Sequence, residues 1–146
     1  MMVEEVKRAD GQDAAPKAKV FFYVTGFGKF CGVSENPTSI MVRDLPTILP
    51  LQNCDGKLFQ LAHVEVLTVA IEDCDEALER IYQIVLTHYD SAEHHVILNL
   101  GVAANRQGFA LEKTGKNIKN FRVADERGNQ PKNVPIDGQR ETIHTI

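Results

Sequence analysis

The residues best suited to chemistry in this sequence are a loop cysteine, Cys31, and two charged residues ten positions apart, Glu112 and Arg122. A thiol beside a histidine can act as a nucleophile. A carboxylate near strand ends can orient a histidine or act as a general base, and a guanidinium can bind a carboxylate or stabilise an oxyanion. Each residue also has an ordinary alternative, because most free cysteines are small buried side chains and most Glu and Arg side chains are solvated at the surface. The pattern alone leaves these alternatives open.

A group of histidines and acids suggests a metal site at first sight. His88, His94 and His95 lie close in sequence to Asp90 and Glu93. Their spacing matches no standard zinc pattern, and His95 begins a predicted strand. We therefore interpret the group as a solvated turn and predict neither a metal nor any other cofactor.

A glycine-rich loop holds two large aromatic residues. The β-branched and aromatic run Val20–Val24 predicts a buried strand, and a loop with three glycines follows it. Phe27 and Phe30 lie within this loop, where large rings need cover from water. They either pack on the sheet or line a pocket at the strand ends, where open α/β sheets bind ligands. Asn36 and Pro37 then suit the N-cap and first position of a helix.

The glycine spacing also has to be weighed against nucleotide binding. It departs from the dinucleotide fingerprint, and Lys29 is not followed by the hydroxyl residue of a phosphate loop. A nucleotide-binding α/β domain is therefore only a third hypothesis, which ATP or NAD would support by raising the melting temperature.

Strand and helix patterns alternate along the chain. The predicted elements are a short helix over Thr38–Leu45 that ends before Pro46, strand-rich Leu58–Val69, a helix over Asp73–Tyr89 with Asp73 and Glu76 as its capping pattern, and a second buried strand over His95–Leu100. This alternation predicts an α/β fold with a largely parallel sheet and helices on both faces.

The signal weakens after Gly101. Phe121–Pro131 predicts an exposed hairpin or loop with a turn at 127–129, and Val134–Ile146 holds no convincing element. We therefore expect a domain whose carboxyl-terminal elements are missing.

Composition narrows the classes of function. The chain has 146 residues, a net charge of −4 and three cysteines. The charge predicts no nucleic-acid partner, and the sequence has no apolar run or signal peptide that predicts a membrane partner or export. An odd number of cysteines is typical of a reduced, cytoplasmic protein. We predict a disordered leader over residues 1–18 and one incomplete α/β domain over residues 19–146.

Three stretches together carry a family resemblance. Val24–Pro37 (VTGFGKFCGVSENP), Leu98–Arg106 (LNLGVAANR) and Phe109–Arg122 (FALEKTGKNIKNFR) resemble motifs of the pyroglutamyl-peptidase I family. These cysteine peptidases hydrolyse an N-terminal pyroglutamyl residue from peptides. The order and spacing of the motifs agree across Lys19–Ile146.

The resemblance implies a three-layer α/β/α fold and a set of roles. Phe27 and Phe30 would wall the pyrrolidone pocket, and Asn36 would fix the loop or the substrate. Glu112 would orient the histidine of a Cys-His-Glu triad, and Arg122 would lie near the oxyanion. An apolar pocket suits a flat lactam with no charged amino group, and a carboxylate on one imidazole nitrogen fixes the tautomer that deprotonates a thiol.

The sequence also departs from the family pattern. The resemblance places the nucleophilic cysteine and the histidine in a later segment, so we expect a truncated chain that by itself lacks activity. Val102 stands where many members carry a polar group that contacts substrate. The expected partners are N-terminal pyroglutamyl peptides if the site is completed. The alternative is a non-catalytic pyroglutamyl-binding or interaction module, whose uncovered apolar surface would favour self-association.

Overall fold

A computed structural model describes residues 18–48, 52–54, 57–87, 93–103, 106–138 and 144–145. Its elements in chain order are β1 (Ala18–Phe27), α1 (Pro37–Ile48), β2 (Gln52–Cys54), β3 (Lys57–Leu67), α2 (Ile71–Thr87), β4 (Glu93–Asn99), β5 (Thr114–Gly115) and β6 (His144–Thr145). Of the predicted leader, residues 1–17 lie outside the described residues, and Ala18 is the first residue of β1.

The main sheet has four strands in the order β2-β3-β1-β4. Strand β1 pairs in parallel with β3 and β4, and the short β2 pairs antiparallel with β3. The β1–α1–β3 and β3–α2–β4 connections run in opposite directions across the sheet. Since such crossovers are right-handed, the two helices cover opposite faces. The predicted α/β fold, with a mostly parallel sheet between two helical layers, is confirmed; β2 was not predicted.

The core surrounds the central strand β1. Tyr23 and Val24 are buried on this strand, Val42 is buried on α1, and Ala77 and Ile81 are buried on α2. Ala77 and Ile81 are one helical turn apart, as the predicted periodicity requires. These buried side chains place β1 in the middle of the domain. Its carboxyl end therefore lies between the carboxyl ends of β3 and β4.

Strand β1 is longer than the sequence predicted. It continues through Gly26 to Phe27, so the expectation that both residues belong to the loop was wrong. A Cβ atom at Gly26 would lie 2.5 Å from the carbonyl oxygen of Thr38 and 2.8 Å from a methyl of Val42. This glycine therefore permits the close approach of α1 to the strand.

Helix α1 does not end before Pro46 as predicted, because it continues to Ile48. Pro46 lies in the last turn, where the missing N–H removes only one hydrogen bond near a terminus that already has free carbonyls. The Thr47 hydroxyl donates a hydrogen bond to the Asp44 carbonyl at 2.7 Å, which satisfies one of those groups.

Helix α2 begins at Ile71, two residues before the predicted cap. The Asp73 carboxylate accepts a hydrogen bond from Arg127 Nε at 2.5 Å, so the prediction that Asp73 acts as the cap was wrong. The Ile71 N–H instead donates to the Asp125 carboxylate at 3.1 Å. A side chain 54 positions away in sequence closes this helix terminus.

Strand β4 is less buried than predicted. Its Val96 and Ile97 side chains are 37% and 42% exposed. In the described part of the chain β4 pairs only with β1, and the prediction of a buried strand was wrong because an edge strand lacks one neighbour. The prediction of no element over Val134–Ile146 also missed β6, which pairs with β5.

Within the described residues, no helix is both long and apolar enough to cross a membrane.

Candidate active site

A cavity of about 580 Å³ lies where the parallel strands end. Its lining comes from the residues that follow β1, β3 and β4 and from the loop that carries Arg122. The lining residues are Phe27, Phe30, Cys31, Val33, Asn36, Pro37, Val69, Gly101, Val102, Ala103, Arg106 and Arg122. The walls are mainly apolar and contain few polar groups. Such a lining suits a ligand that is itself largely apolar.

The loop after β1 is a tight hairpin. Phe30 and Val33 exchange backbone hydrogen bonds of 3.2 and 2.8 Å. The two residues between them, Cys31 and Gly32, have φ angles of 46° and 81°, as a two-residue turn of this hand requires. The turn places Phe30 and Cys31 at the cavity wall. A second bond, from the Gly28 N–H to the Leu67 carbonyl at 2.8 Å, ties the loop to the end of β3.

Asn36 caps α1 and also holds the loop. Its side-chain oxygen accepts hydrogen bonds from the Thr38 N–H at 3.0 Å and the Thr38 hydroxyl at 2.8 Å. The same hydroxyl oxygen accepts a hydrogen bond from the Phe27 N–H at 2.9 Å. The predicted N-cap is confirmed. Through Thr38, the cap also positions the Phe27 backbone at the cavity.

The two arginines of the cavity differ in their surroundings. Arg106 Nη1 lies 2.6 Å from Glu112 Oε1 in an exposed ion pair. Arg122 forms no ion pair with any residue that the structure describes, and it lines the same cavity. Glu112 therefore lies beside the cavity through Arg106, while Arg122 contributes a positive charge to the lining.

The loop that bears Arg122 is held by the buried residue Asp125. This side chain is 7% exposed and accepts hydrogen bonds from the N–H groups of Ile71, Arg127 and Asn129. Burial by itself would raise the pKa of Asp125, but the three backbone donors outweigh that effect and lower the pKa below its ordinary value. Ionised Asp125 thus joins the loop to the start of α2.

The next residue continues this connection toward the glycine loop. The Glu126 N–H donates to the Val69 carbonyl at 2.9 Å, and the Cys31 N–H donates to the Glu126 carboxylate at 3.4 Å. Since Val69 and Cys31 both line the cavity, the loop and the cavity wall form one hydrogen-bonded unit.

The structure brings most of the predicted site residues to one end of the sheet. The predicted residues that line the cavity are Phe27, Phe30, Asn36, Val102 and Arg122, and Glu112 lies one ion pair away. Glu112 and Arg122 are both exposed, as the alternative interpretation of solvated surface side chains expects. Arg122 lines the same cavity as the two aromatic residues, and Glu112 pairs with Arg106, another lining residue.

The cysteine and histidine predictions have mixed outcomes. Cys31 lines the cavity, but none of the described lining residues is a histidine. The interpretation of a solvated turn was wrong for Glu93, His94 and His95, because all three lie in strand β4. His95 Nδ1 is 3.0 Å from the Tyr23 hydroxyl. His88 and Asp90 lie outside the described residues. Across the described ranges, no group of three or more His, Cys, Asp or Glu side chains could hold a metal ion.

Sequence reasoning missed three residues that build the site: Arg106, Thr38 and Asp125. Thr38 follows a recognised cap at the N2 position, which is a local signal for a loop contact. Arg106 and Asp125 act through contacts to Glu112 and Ile71 that no local pattern predicts.

Comparison with known proteins identifies relatives over most of the chain. No family model matches it. The chain is 32% identical over 116 residues to the pyrrolidone-carboxylate peptidase of Coprothermobacter proteolyticus, which is 77% of this chain and 48% of the relative. It is 29% identical over 125 residues to the enzyme of the same name from Streptococcus pyogenes serotype M12, which is 84% of this chain and 51% of the relative.

Solved structures of the same name share the fold. The pyrrolidone carboxyl peptidase of Thermus thermophilus aligns with a TM-score of 0.64 at 28% identity, over 85% of this chain and 56% of that one. The enzyme from Pyrococcus furiosus aligns with a TM-score of 0.65 at 24% identity, over 87% and 53%.

The fold and the cavity together define an α/β protein with a mainly apolar cavity at the carboxyl ends of its parallel strands, the place where open α/β sheets bind ligands. The chain belongs to the pyrrolidone-carboxylate peptidase family, also called pyroglutamyl-peptidase I. It spans about half the length of the curated relatives it matches.

Proposed function

We propose that the cavity recognises the pyroglutamyl group of an N-terminally blocked peptide. The observation that carries this proposal is the joint placement of Phe27, Phe30 and Arg122 around one largely apolar cavity. A flat, uncharged lactam ring gains contact area between aromatic walls, and a few polar groups at the rim orient it. The family relationship supplies the chemical identity of the ligand.

Within this proposal, Glu112 is the acid of a Cys-His-Glu site. One carboxylate oxygen accepts the hydrogen bond from Arg106. The second oxygen has no partner among the described residues, so it could hold an imidazole. Arg106 would then position Glu112, and Arg122 would stabilise negative charge that develops on the scissile carbonyl. Phe27, Phe30 and Val102 would hold the ring.

We further propose that this chain does not hydrolyse pyroglutamyl peptides by itself. A thiol lines the cavity at Cys31, but no histidine is among the described lining residues. A cysteine acts as a nucleophile with the help of an adjacent general base that takes its proton. Loss of one member of a nucleophile–base pair costs about 10⁶-fold in turnover, so hydrolysis would require the nucleophile and base that the family resemblance places elsewhere.

Ligand binding tests the pocket directly. Two-dimensional NMR during titration with a pyroglutamyl dipeptide should show shifts at Phe27 and Phe30, and Phe30→Ala should weaken binding by about tenfold or more. Phe109→Ala is the matched control, because Phe109 is 96% exposed and does not line the cavity. Equal affinity for Phe30→Ala and wild type would contradict the proposed site.

An activity assay on a fluorogenic pyroglutamyl amide tests the second part. We expect no turnover above the buffer rate. Turnover that Cys31→Ala abolishes would overturn the assignment and make Cys31 the nucleophile.

A non-catalytic interaction module is the second candidate function. It is favoured by the exposed apolar side chains beside Glu112: Phe109 is 96% exposed and Leu111 is 76% exposed. Exposed apolar residues of this size favour association. Sedimentation velocity should reveal self-association that Phe109→Ser reduces. A monomer at all concentrations would count against this candidate.

We propose a reducing, cytosolic environment for the protein, because Cys31 and Cys74 are both free thiols. Mass spectrometry of the chain isolated under thiol-trapping conditions should find both residues alkylated, and a native disulfide would contradict the proposal.

A further inference from the structure

We infer that the cavity prefers a lactam that carries a free carboxylate, such as pyroglutamate itself, over the uncharged pyroglutamyl amide of a peptide, and that Arg122 is the residue that selects it. This inference rests on the proposed lactam pocket and adds the charge of the preferred ligand. It follows from the distribution of charged groups around the cavity.

Two arginines carry the charge of the cavity lining. Arg106 and Arg122 are its only charged lining residues in the described part of the chain. The Arg106 charge is compensated by Glu112, whose Oε1 lies 2.6 Å from Arg106 Nη1. Arg122 has no ion-pair partner among the described residues. The Glu126 carboxylate lies at the same wall, where it accepts a hydrogen bond from the Cys31 N–H at 3.4 Å. Arg122 is therefore the lining cation that remains available to pair with an anionic ligand.

Asn36 is the other polar side chain in the wall. Its side-chain oxygen accepts two hydrogen bonds from Thr38, and Asn36 is buried. Its amide N–H groups can donate to a ligand oxygen, but the group is uncharged and gives no charge preference for an acid over an amide. The Arg122 guanidinium, with its planar set of N–H donors, is the lining group best suited to bind a carboxylate through two parallel hydrogen bonds.

Hydrogen bonds hold the backbone that carries Arg122. The Arg122 carbonyl accepts a hydrogen bond from the Gln130 side chain at 2.7 Å, and the Phe121 N–H donates to the Pro131 carbonyl at 3.0 Å. Asp125 anchors the same loop to α2. These contacts hold the Arg122 backbone at the rim, so less conformational entropy is lost when its side chain binds an anion.

The ligand's own chemistry completes the argument. Pyroglutamate carries its carboxylate on the carbon next to the ring nitrogen, and this group is ionised at neutral pH. In a pyroglutamyl peptide the same position is an uncharged amide. Because Arg122 is exposed, salt and water weaken an ion pair between its guanidinium and the ligand carboxylate. We therefore expect a preference of about tenfold for the acid at low ionic strength.

The test compares three ligands of one shape class on the full chain by isothermal titration calorimetry: pyroglutamate, pyroglutamamide and 2-pyrrolidone. We expect pyroglutamate to bind about tenfold more tightly than the amide in about 0.02 M salt, and the ratio to fall toward one in about 0.5 M salt. Arg122→Gln should abolish the preference. Arg43→Gln, an equal change of charge at an exposed position on α1 outside the cavity, should retain it.

The outcomes separate the two proposals. Equal affinity for acid and amide, with 2-pyrrolidone bound, would overturn the inference and leave the lactam pocket intact. A preference that survives Arg122→Gln would also overturn it. If none of the three ligands binds, both the inference and the proposed pocket fail.

A second variant tests the charge balance from the other direction. Glu112→Gln removes the compensating carboxylate and leaves the Arg106 guanidinium available, so the ratio of acid to amide affinity should increase. An unchanged or lower ratio would overturn the charge balance on which the inference rests.

Discussion

The Asp125 carboxylate accepts a hydrogen bond from the Ile71 N–H at 3.1 Å, across 54 positions of sequence. The bond closes the first turn of α2 with an acidic group, which the helix dipole favours. Two further N–H donors, from Arg127 and Asn129, reach the same carboxylate. One buried side chain therefore joins the helix to the loop that brings Arg122 to the cavity.

Replacement of Asp125 should destabilise the fold and also disturb the cavity. Asp125→Ala leaves three backbone N–H groups without their acceptor, and such groups are costly when they are buried. We expect a lower urea midpoint and weaker binding of lactam ligands, with Asp125→Asn intermediate. Asp44→Asn on α1 is the charge-matched control and should unfold close to the wild-type midpoint. Similar midpoints for Asp125→Ala and Asp44→Asn would contradict the conclusion that Asp125 joins α2 to the loop that bears Arg122.

The same carboxylate predicts a pH dependence of stability. The pKa of Asp125 in the folded chain is lowered from its ordinary value of 3.8, so the unfolded chain binds the proton more readily. The stabilisation is therefore present above pH 3.8 and lost as the pH falls through that value toward the folded-state pKa. Urea midpoints measured from neutral to acidic pH should decline less steeply for Asp125→Asn than for wild type. Parallel curves would show that another group causes the decline.

Two glycines at the carboxyl end of β1, Gly26 in the strand and Gly28 just after it, should respond differently to alanine. A Cβ at Gly26 would lie 2.5 Å from the Thr38 carbonyl oxygen, whereas one at Gly28 would lie 3.4 Å from its nearest neighbour, the Leu67 carbonyl oxygen. Gly26→Ala should destabilise the chain by about 1–3 kcal/mol because α1 must move. Gly28→Ala should change stability by about 0.5 kcal/mol or less. Chemical denaturation measures both, and equal losses would contradict the close helix–strand approach.

The Thr38 hydroxyl should matter for both stability and ligand binding. Thr38→Val keeps the shape of the side chain but removes the bonds to the Phe27 N–H and to Asn36. We expect a loss of about 1–3 kcal/mol on unfolding and weaker binding of a lactam, since Phe27 loses its anchor. Thr47→Val, in the exposed last turn of α1, is the control. Unchanged affinity in Thr38→Val would show that Phe27 does not depend on this contact.

Local patterns were sufficient for the elements whose signal lies within a few residues. The run Val20–Val24 predicted a strand because β-branched and aromatic side chains suit a buried sheet. Asn36 and Pro37 predicted a helix start because an N-cap acts within one turn. The boundaries failed where packing decided them: β1 extends past Gly26 because α1 covers it, and α1 passes Pro46 because only one terminal hydrogen bond is lost there.

Residue types and their order were enough to indicate the α/β class, the aromatic loop and the family relationship, because all three are encoded in short motifs. Only the tertiary structure decided that Arg106 forms an ion pair with Glu112, that Arg122 has no ion-pair partner among the described residues, and that Asp125 accepts a hydrogen bond from the first N–H of α2. Those relationships depend on the distances between strand ends and loops far apart in the chain, which the folding of the sheet establishes and no short stretch contains.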